Sequence, residues 1–458
     1  MNETRRTLAF AGTAVVLAAL ALIFAPHRIT PGTFLDQGEP FFPDFTDPNE
    51  AVTLEVIDFD EATGAARPFK VTFKDGRWTI PSHHDYPADG KDRLARTAAG
   101  VIDICKDDFR TDNISDHEMC GVIDPLDETA ALSGRGQRVT IKGTNDAVLA
   151  DFIIGHQVPE RAGFRFVRVP QQNRVYVARL EVDISTEFSD WIEADLLQVD
   201  KNKIDRVNLQ DYSINERTQS VDQRDNLMLT RQDGTWKADR MKSTQQVDST
   251  RMQDLLTALD ELNIVGVRPK PTGLSAGLKE NPGEQKVSQD EVRSLQSKGF
   301  YFSRDGRLLS NEGETQAQTT DGANYTLRFG EVVYGSGLAV TAGGNADTDQ
   351  QESSAAQNRY MFITTDFDAA TFPEPKKPTD TEYLKKADSI WTDEDRNNKS
   401  LQNAHGLWQR NVEKGRRLSS ELNARFADWY YVISAESFEQ LRLTRQDLVV
   451  KKEVASDN

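Results

Sequence analysis

Apolar positions follow three patterns along this chain, and each predicts a different element. The first is a continuous run: the twenty positions Thr7–Pro26 (TLAFAGTAVVLAALALIFAP) hold no charged residue. As a helix they would span roughly 30 Å, the thickness of a bilayer core. Residues 1–6, with Arg5 and Arg6, then form a cytoplasmic n-region, and residues 7–26 a transmembrane anchor with the rest of the chain outside. A cleaved signal peptide is the competing reading. Its small-residue site, Ala19-Leu20-Ala21, would lie inside the apolar run, so an uncleaved anchor is expected. Residues 27–50 carry four prolines and read as an extended tether. Within them Phe41-Phe42-Pro43-Asp44-Phe45 is either a local docking patch or a few apolar linker residues.

The second pattern is alternation. Phe69-Lys70-Val71-Thr72-Phe73 reads as a half-buried strand. Asp75-Gly76 predicts a hairpin turn with positive φ, and Trp78 opens the return strand, facing the core. Leu94, Ala98, Val101 and Ile104 follow at helical spacing. The same unit returns 158 residues later without a gap, as Asp233-Gly234-Thr235-Trp236, with Phe69 and Val71 replaced by Leu227 and Leu229 and Arg110 by Arg268. Its helix opens at Asp248-Ser249 and runs through Met252, Leu255, Leu256, Leu259 and Leu262. Strands are predicted at 137–141, 150–155, 164–169 and 174–177, and again at 299–302, 325–330 and 359–364. Phe188-Ser189-Asp190-Trp191 closes the first copy and Phe426-Ala427-Asp428-Trp429 the second. Self-similarity at a fixed offset is the mark of duplication. The expected fold class is therefore α+β: an N-terminal transmembrane helix, then tandem modules at 51–198 and 199–372. Residues 426–450 would close the second module and 451–458 form a charged tail. Trp78, Trp236, Trp191 and Trp429 are expected as equivalent core residues, with ligand stacking the weaker alternative.

The third pattern is helical spacing within 373–425. Tyr383, Leu384, Ala387, Ile390 and Trp391 mark one stripe, and Leu401, Ala404, Trp408, Gly415, Leu418 and Leu422 another. They predict one long helix or a helical hairpin inserted in the second module. The first copy closes without such a segment, so the insertion either packs on its own module or meets a partner. Its basic residues favour an acidic partner surface or anionic headgroups, with Trp391, Trp408, Arg410, Arg416 and Arg417 as partner-binding candidates.

Composition narrows the function classes. A length of 458 residues suggests two to four domains. With 55 basic against 73 acidic residues, the net charge of −18 disfavours nucleic acid as a partner. A mean hydropathy of −0.60 excludes a polytopic membrane protein. No nucleophile-elbow, Walker or dinucleotide motif is present. His83-His84-Asp85 reads as a solvated loop, because adjacent side chains diverge and zinc needs three or four convergent ligands. Asn345-Ala346-Asp347-Thr348-Asp349 begins like a calcium loop but has Gln350 and Ala356 where glycine and glutamate are required, so residues 345–357 predict a polar loop. No cofactor or metal is expected. Cys105 and Cys120, fifteen residues apart, predict a local disulfide outside the cytoplasm, with two free buried thiols as the alternative.

The Asp-Gly-Trp start, its helix, the strand ending Phe152-Ile153-Ile154-Gly155, the Arg174-Val175-Tyr176-Val177 strand and their second copies resemble the uncharacterised family called domain of unknown function 4340. The resemblance covers roughly 50–370, and Asp428-Trp429-Tyr430-Tyr431-Val432-Ile433-Ser434 is similar to the ending of planctomycete-type members. It implies a bacterial, single-pass, anchored envelope protein with its bulk in the periplasm and no catalytic residues. It also implies an accessory role beside gliding-motility-type ABC export systems. The expected function is a non-enzymatic membrane scaffold or accessory subunit with an envelope protein partner. The alternative is an extracytoplasmic binding module for a small molecule or polysaccharide.

Overall fold

The structure, a computed structural model, describes residues 12–17 and 36–452, apart from 183, 216, 219, 281–286, 304 and 334–356. Residues 12–17 are helical. The rest of the predicted anchor, residues 27–35 of the tether, residues 345–356 of the polar loop and residues 453–458 of the tail lie outside the described residues. Among the described residues no helix is long and apolar enough to cross a membrane.

By internal contact the chain divides into two units, Met1–Pro68 with Leu94–Ile184, and Phe69–Arg93 with Ser185–Asn458. Both mix strands and helices, so the chain is α+β. The strands are β1 Thr53–Asp60, β2 Ala65–Lys74, β3 Arg77–Ile80, β4 Tyr86–Pro87, β5 Asp108–Thr111, β6 Gln137–Lys142, β7 Val148–Gln157, β8 Phe164–Arg168 and β9 Val175–Arg179. They continue as β10 Ile204–Asn215, β11 Ser220–Gln232, β12 Thr235–Ala238, β13 Gln245–Val247, β14 Gly266–Pro269, β15 Phe300–Phe302 and β16 Leu308–Ser310. Last come β17 Glu314–Thr319, β18 Ala323–Val333, β19 Asn358–Phe367, β20 Trp429–Ile433 and β21 Val449–Lys451. The helices are α1 Lys91–Ile102, α2 His117–Cys120, α3 Ser249–Asp260, α4 Thr272–Glu280, α5 Gln289–Gln296, α6 Asp393–Phe426, α7 Ala435–Leu441 and α8 Arg445–Leu448.

In the first unit six strands run in the order β1-β6-β7-β8-β9-β5, all antiparallel. Alternation places Val139, Ile141, Phe152 and Val167 in the core. Phe41 and Phe45 are also buried, and Phe41 meets Tyr176 edge-on at 5.3 Å, so the aromatic patch docks locally.

The cysteines do not form the expected disulfide: both thiols are free. Cys120 ends α2 and is sealed in a cluster with Val122, Ile153, Phe166, Val175 and Val177. Cys105 is only half-buried, bridges by backbone to Pro40, and its Sγ donates to the carbonyl of Asp103. Burial raises the Cys120 pKa, against a hydrogen bond with Arg110.

In the second unit the two Asp-Gly turns adopt the predicted left-handed backbone, with φ of 52° and 78° at Asp75 and Gly76 and of 48° and 77° at Asp233 and Gly234. The tryptophans that follow are not in the core. Trp78 and Trp236 are half-buried, because each sits beside its turn; Trp78 packs on Phe73, itself 43% exposed. The fully buried tryptophan is Trp191, whose ring meets Phe69 and whose Nε1 donates to the carbonyl of Ser185. Trp429 is half-buried and meets Tyr86 edge-on at 5.0 Å.

The His83-His84-Asp85 loop is solvated only in part: His84 and Asp85 are exposed, but His83 is not. His83 is 3% exposed and stacks on Phe188 at 4.7 Å. Burial, then His84 and Arg268, lower its pKa to about 4. This aromatic cluster ties residues 69–93 to the segment after Ser185.

The main sheet of this unit has the order β12-β11-β10-β17-β18-β19-β20-β14. The insertion supplies one 34-residue helix, α6, which opens with a Thr392/Asp395 capping box. The stripe at Tyr383–Trp391 does not continue it. That stretch makes two short 3₁₀ turns, and Trp391 Nε1 donates to the carbonyl of Tyr383 at 3.2 Å. The C-terminal half of α6 packs on β18 and β19: Gly415 lies against Phe367 and the carbonyl of Asp321, and Thr365 Oγ1 donates to the carbonyl of Ser419.

Candidate functional site

Strands β10, β17, β18 and β19 set their even-numbered residues on one face. Register places Gln210, Glu314, Arg328 and Phe362 in one cross-strand row, and Asn208, Gln316, Thr326 and Thr364 in the next. A third row holds Arg206, Gln318, Asn324 and Asp366. The opposite face, with Val207, Leu209, Ala317, Tyr325, Leu327 and Ile363, is core. Such alternation is ordinary for an antiparallel sheet with one wet face. Here, however, the polar face is roofed. Leu274 and Leu278 of α4, Leu295 of α5, and Phe302 and Leu308 of the β15–β16 hairpin wall a cavity of about 410 Å³ over it.

The polar groups beneath the roof hold one another in place. Glu314, 8% exposed, accepts at Oε1 from Gln210 Nε2 (3.1 Å) and Gln316 Nε2 (2.9 Å), and at Oε2 from Tyr212 Oη (3.2 Å), where it also pairs with Arg328 Nε (3.2 Å). Arg328 also donates to Thr364 Oγ1 and the Leu308 carbonyl, both at 2.9 Å, which fixes the hairpin over the sheet. Asn208 Nδ2 donates to Gln316 Oε1 at 3.2 Å, while its buried Oδ1 has no partner among the described residues. Burial, and next the Glu314 charge, push the Tyr212 phenol up to about 12. Amides and hydroxyls both donate and accept, so these rows can bind hydroxyl groups, while the roof offers an apolar face.

Phe362 at the cavity edge also carries a buried amine on its ring: Lys270 Nζ lies 3.8 Å from the ring centroid and donates to the carbonyl of Phe426 at 2.9 Å. Burial lowers the Lys270 pKa well below the usual lysine value. Among the described residues no group of three or more His, Cys, Asp or Glu is placed to hold a metal ion.

The sequence-predicted residues lie elsewhere. The four tryptophans, the two cysteines and the α6 candidates do not line this cavity. Trp408 Nε1 donates to the carbonyl of Phe372 at 2.8 Å, so like Trp391 it is engaged within its own unit. Arg410, Arg416 and Arg417 are exposed on α6. The cavity residues Gln210, Glu314, Gln316 and Arg328 were missed, although the alternation Glu314-Thr315-Gln316-Ala317-Gln318-Thr319 carries the signal of a strand with one polar face.

No curated protein and no solved structure matches the chain. Residues 78–280 match the family model described as Domain of unknown function (DUF4340), and this segment of the chain is similar to that family.

Proposed function

We propose that this chain is a non-enzymatic, membrane-anchored binding protein whose second unit takes a small polyhydroxylated ligand, a saccharide unit, in the roofed cleft. The observation that carries the reading is the set of amide and hydroxyl rows facing an apolar roof across a cavity of about 410 Å³. Glu314 accepts from four groups, which favours a structural carboxylate over a catalytic base. In this proposal residues 7–26 anchor the chain in the bacterial inner membrane with its bulk in the periplasm. The two modules arise by duplication, supported by two left-handed Asp-Gly turns, each followed by a helix of twelve residues.

A panel of mono- and disaccharides, screened by thermal shift and then calorimetry, tests the reading. Binding is expected, weakened about tenfold by Thr326→Val, which removes a lining hydroxyl without changing shape. A panel with no binder overturns it.

A second reading has its own support. The outer side of α6 presents Arg410, Lys414 and Arg417, with Glu413 beside them and Glu421 paired to Arg417 at 3.8 Å, while Arg416 lies over the Phe367 ring. This ridge suits an acidic protein partner, so the chain would act as scaffold or accessory subunit of an envelope complex, an ABC exporter among the candidates. Reversing Arg410 and Arg417 to Glu should remove a partner that co-purifies from solubilised membranes. Retention of the partner counts against this reading.

A further inference from the structure

The two Asp-Gly hairpins treat their tryptophans differently. In the first, the Trp78 ring is closed in: its cross-strand partner Phe73 lies 5.4 Å away, and a Cβ on Gly90 would stand 3.3 Å from the ring. At the same offset of 158 residues, Arg231 takes the place of Phe73 opposite Trp236, and Asp248 that of Gly90. Trp236 then lines a cavity of about 560 Å³ between β12, β13 and α3, and among the described residues its ring meets no other aromatic and its Nε1 has no partner. The lining also carries Lys201, Arg231, Lys237 and Lys452, and no Asp or Glu. In a chain with 73 acidic against 55 basic residues, a cavity with four cations and no carboxylate in its wall runs against the composition. Lys201 is shared with Asp260 and Glu261, at 3.7 and 3.9 Å. Arg231, Lys237 and Lys452 pair with no carboxylate among the described residues. Arg231 Nη1 donates to the carbonyl of Asn202 at 3.0 Å, which steadies the guanidinium and leaves its other N–H groups to accept an anion.

We propose that this cavity is a second binding site, separate from the roofed cleft, and that it takes an acidic sugar: a pyranose ring on the Trp236 indole with its carboxylate or phosphate on Arg231 and Lys452. Each part of that ligand answers one feature of the wall. The negative face of the indole receives the C–H face of the ring. Guanidinium and ammonium hold the anion by charge-assisted hydrogen bonds, the stronger kind. The amides of Gln246 and Gln253, which also line the space, can donate to and accept from hydroxyls. The volume lies within the range of small-molecule sites. The cations also offset, at this one place, the repulsion that a chain of net charge −18 exerts on an anion.

Calorimetry on the full chain with methyl glucuronide, glucose 6-phosphate, methyl glucoside and inorganic phosphate tests the site. At least one of the two acidic sugars should bind, about tenfold or more tighter than methyl glucoside and than phosphate alone; which of them does so assigns the anion. Arg231→Phe recreates the aromatic pair of the first hairpin, so the variant should fold, and it should lose that preference. Lys452→Gln, at an exposed position where folding is not at stake, should weaken the acidic sugar severalfold. Thr326→Val, in the roofed cleft, should leave it within about twofold, which separates the two sites. Acidic and neutral sugars binding alike, or phosphate alone binding as tightly as either acidic sugar, would overturn the proposal. So would an acidic-sugar affinity unchanged in both Arg231→Phe and Lys452→Gln, or no binding of either acidic sugar; in each case the reading of the roofed cleft is judged separately by its own panel.

Discussion

Acid should loosen the second unit through one buried ring. His83 is 3% exposed, stacked on Phe188, and its Nδ1 lies 3.0 Å from Ser82 Oγ. Its pKa falls from 6.5 to about 4, chiefly by burial. A folded-state pKa below the unfolded value means that the unfolded chain binds the proton first. The stability is therefore full above pH 6.5 and is lost as pH falls toward 4. The full loss over that window is about 3 kcal/mol, and about 2 kcal/mol has gone by pH 5. Carboxylates titrate in the same range, so the measurement is a difference. Urea unfolding of the parent and of His83→Phe, which keeps the stacked ring without the titration, is followed by tryptophan fluorescence from pH 7.5 to 4.5. The variant's stability relative to the parent should rise by about 2 kcal/mol between pH 7.5 and 5, since shared carboxylate effects cancel. A difference that stays flat within 0.5 kcal/mol, roughly the usual additivity error, would refute the claim that His83 is held neutral by the fold.

Three further outcomes are expected. Trp191→Ala should cost about 3–5 kcal/mol, the range for a fully buried aromatic, whereas the half-buried Trp236→Ala should cost under about 2 kcal/mol; equal losses would contradict the burial difference. Iodoacetamide should label Cys105 in the native protein and Cys120 only after unfolding, without prior reduction; a pair that resists alkylation until reduced would restore the disulfide. Gly415→Ala would set a Cβ 2.6 Å from both the Asp321 carbonyl and the Phe367 ring, so α6 should lift and the melting temperature fall; an unchanged melting temperature would show that the helix does not seat there.

Local chemistry made much of this chain legible in its sequence. An Asp-Gly pair between alternating residues dictates a hairpin because both turn residues need positive φ, and Asp75-Gly76 and Asp233-Gly234 obey. The strands at 137–141 and 359–364 were readable because alternation is a local consequence of the pleat, and the Asp248 cap marked α3 for the same reason. Side-chain burial was not local. Trp78 and Trp236 have the residue type of a core but the position of a hairpin end, whereas His83 has the type of a surface loop and is packed against Phe69 and Phe188. The cysteines show the same limit, since fifteen residues of separation permits a disulfide and only the packing of Cys120 into its own cluster removes it. The cleft is the clearest case. Sequence alternation fixes which residues of β10, β17, β18 and β19 share a face, but their rows form only when four strands adopt one register. A polar sheet face ordinarily meets water. Here α4, α5 and the β15–β16 hairpin fold back over it, and that closure, a matter of long-range packing, turns a wet face into a cavity.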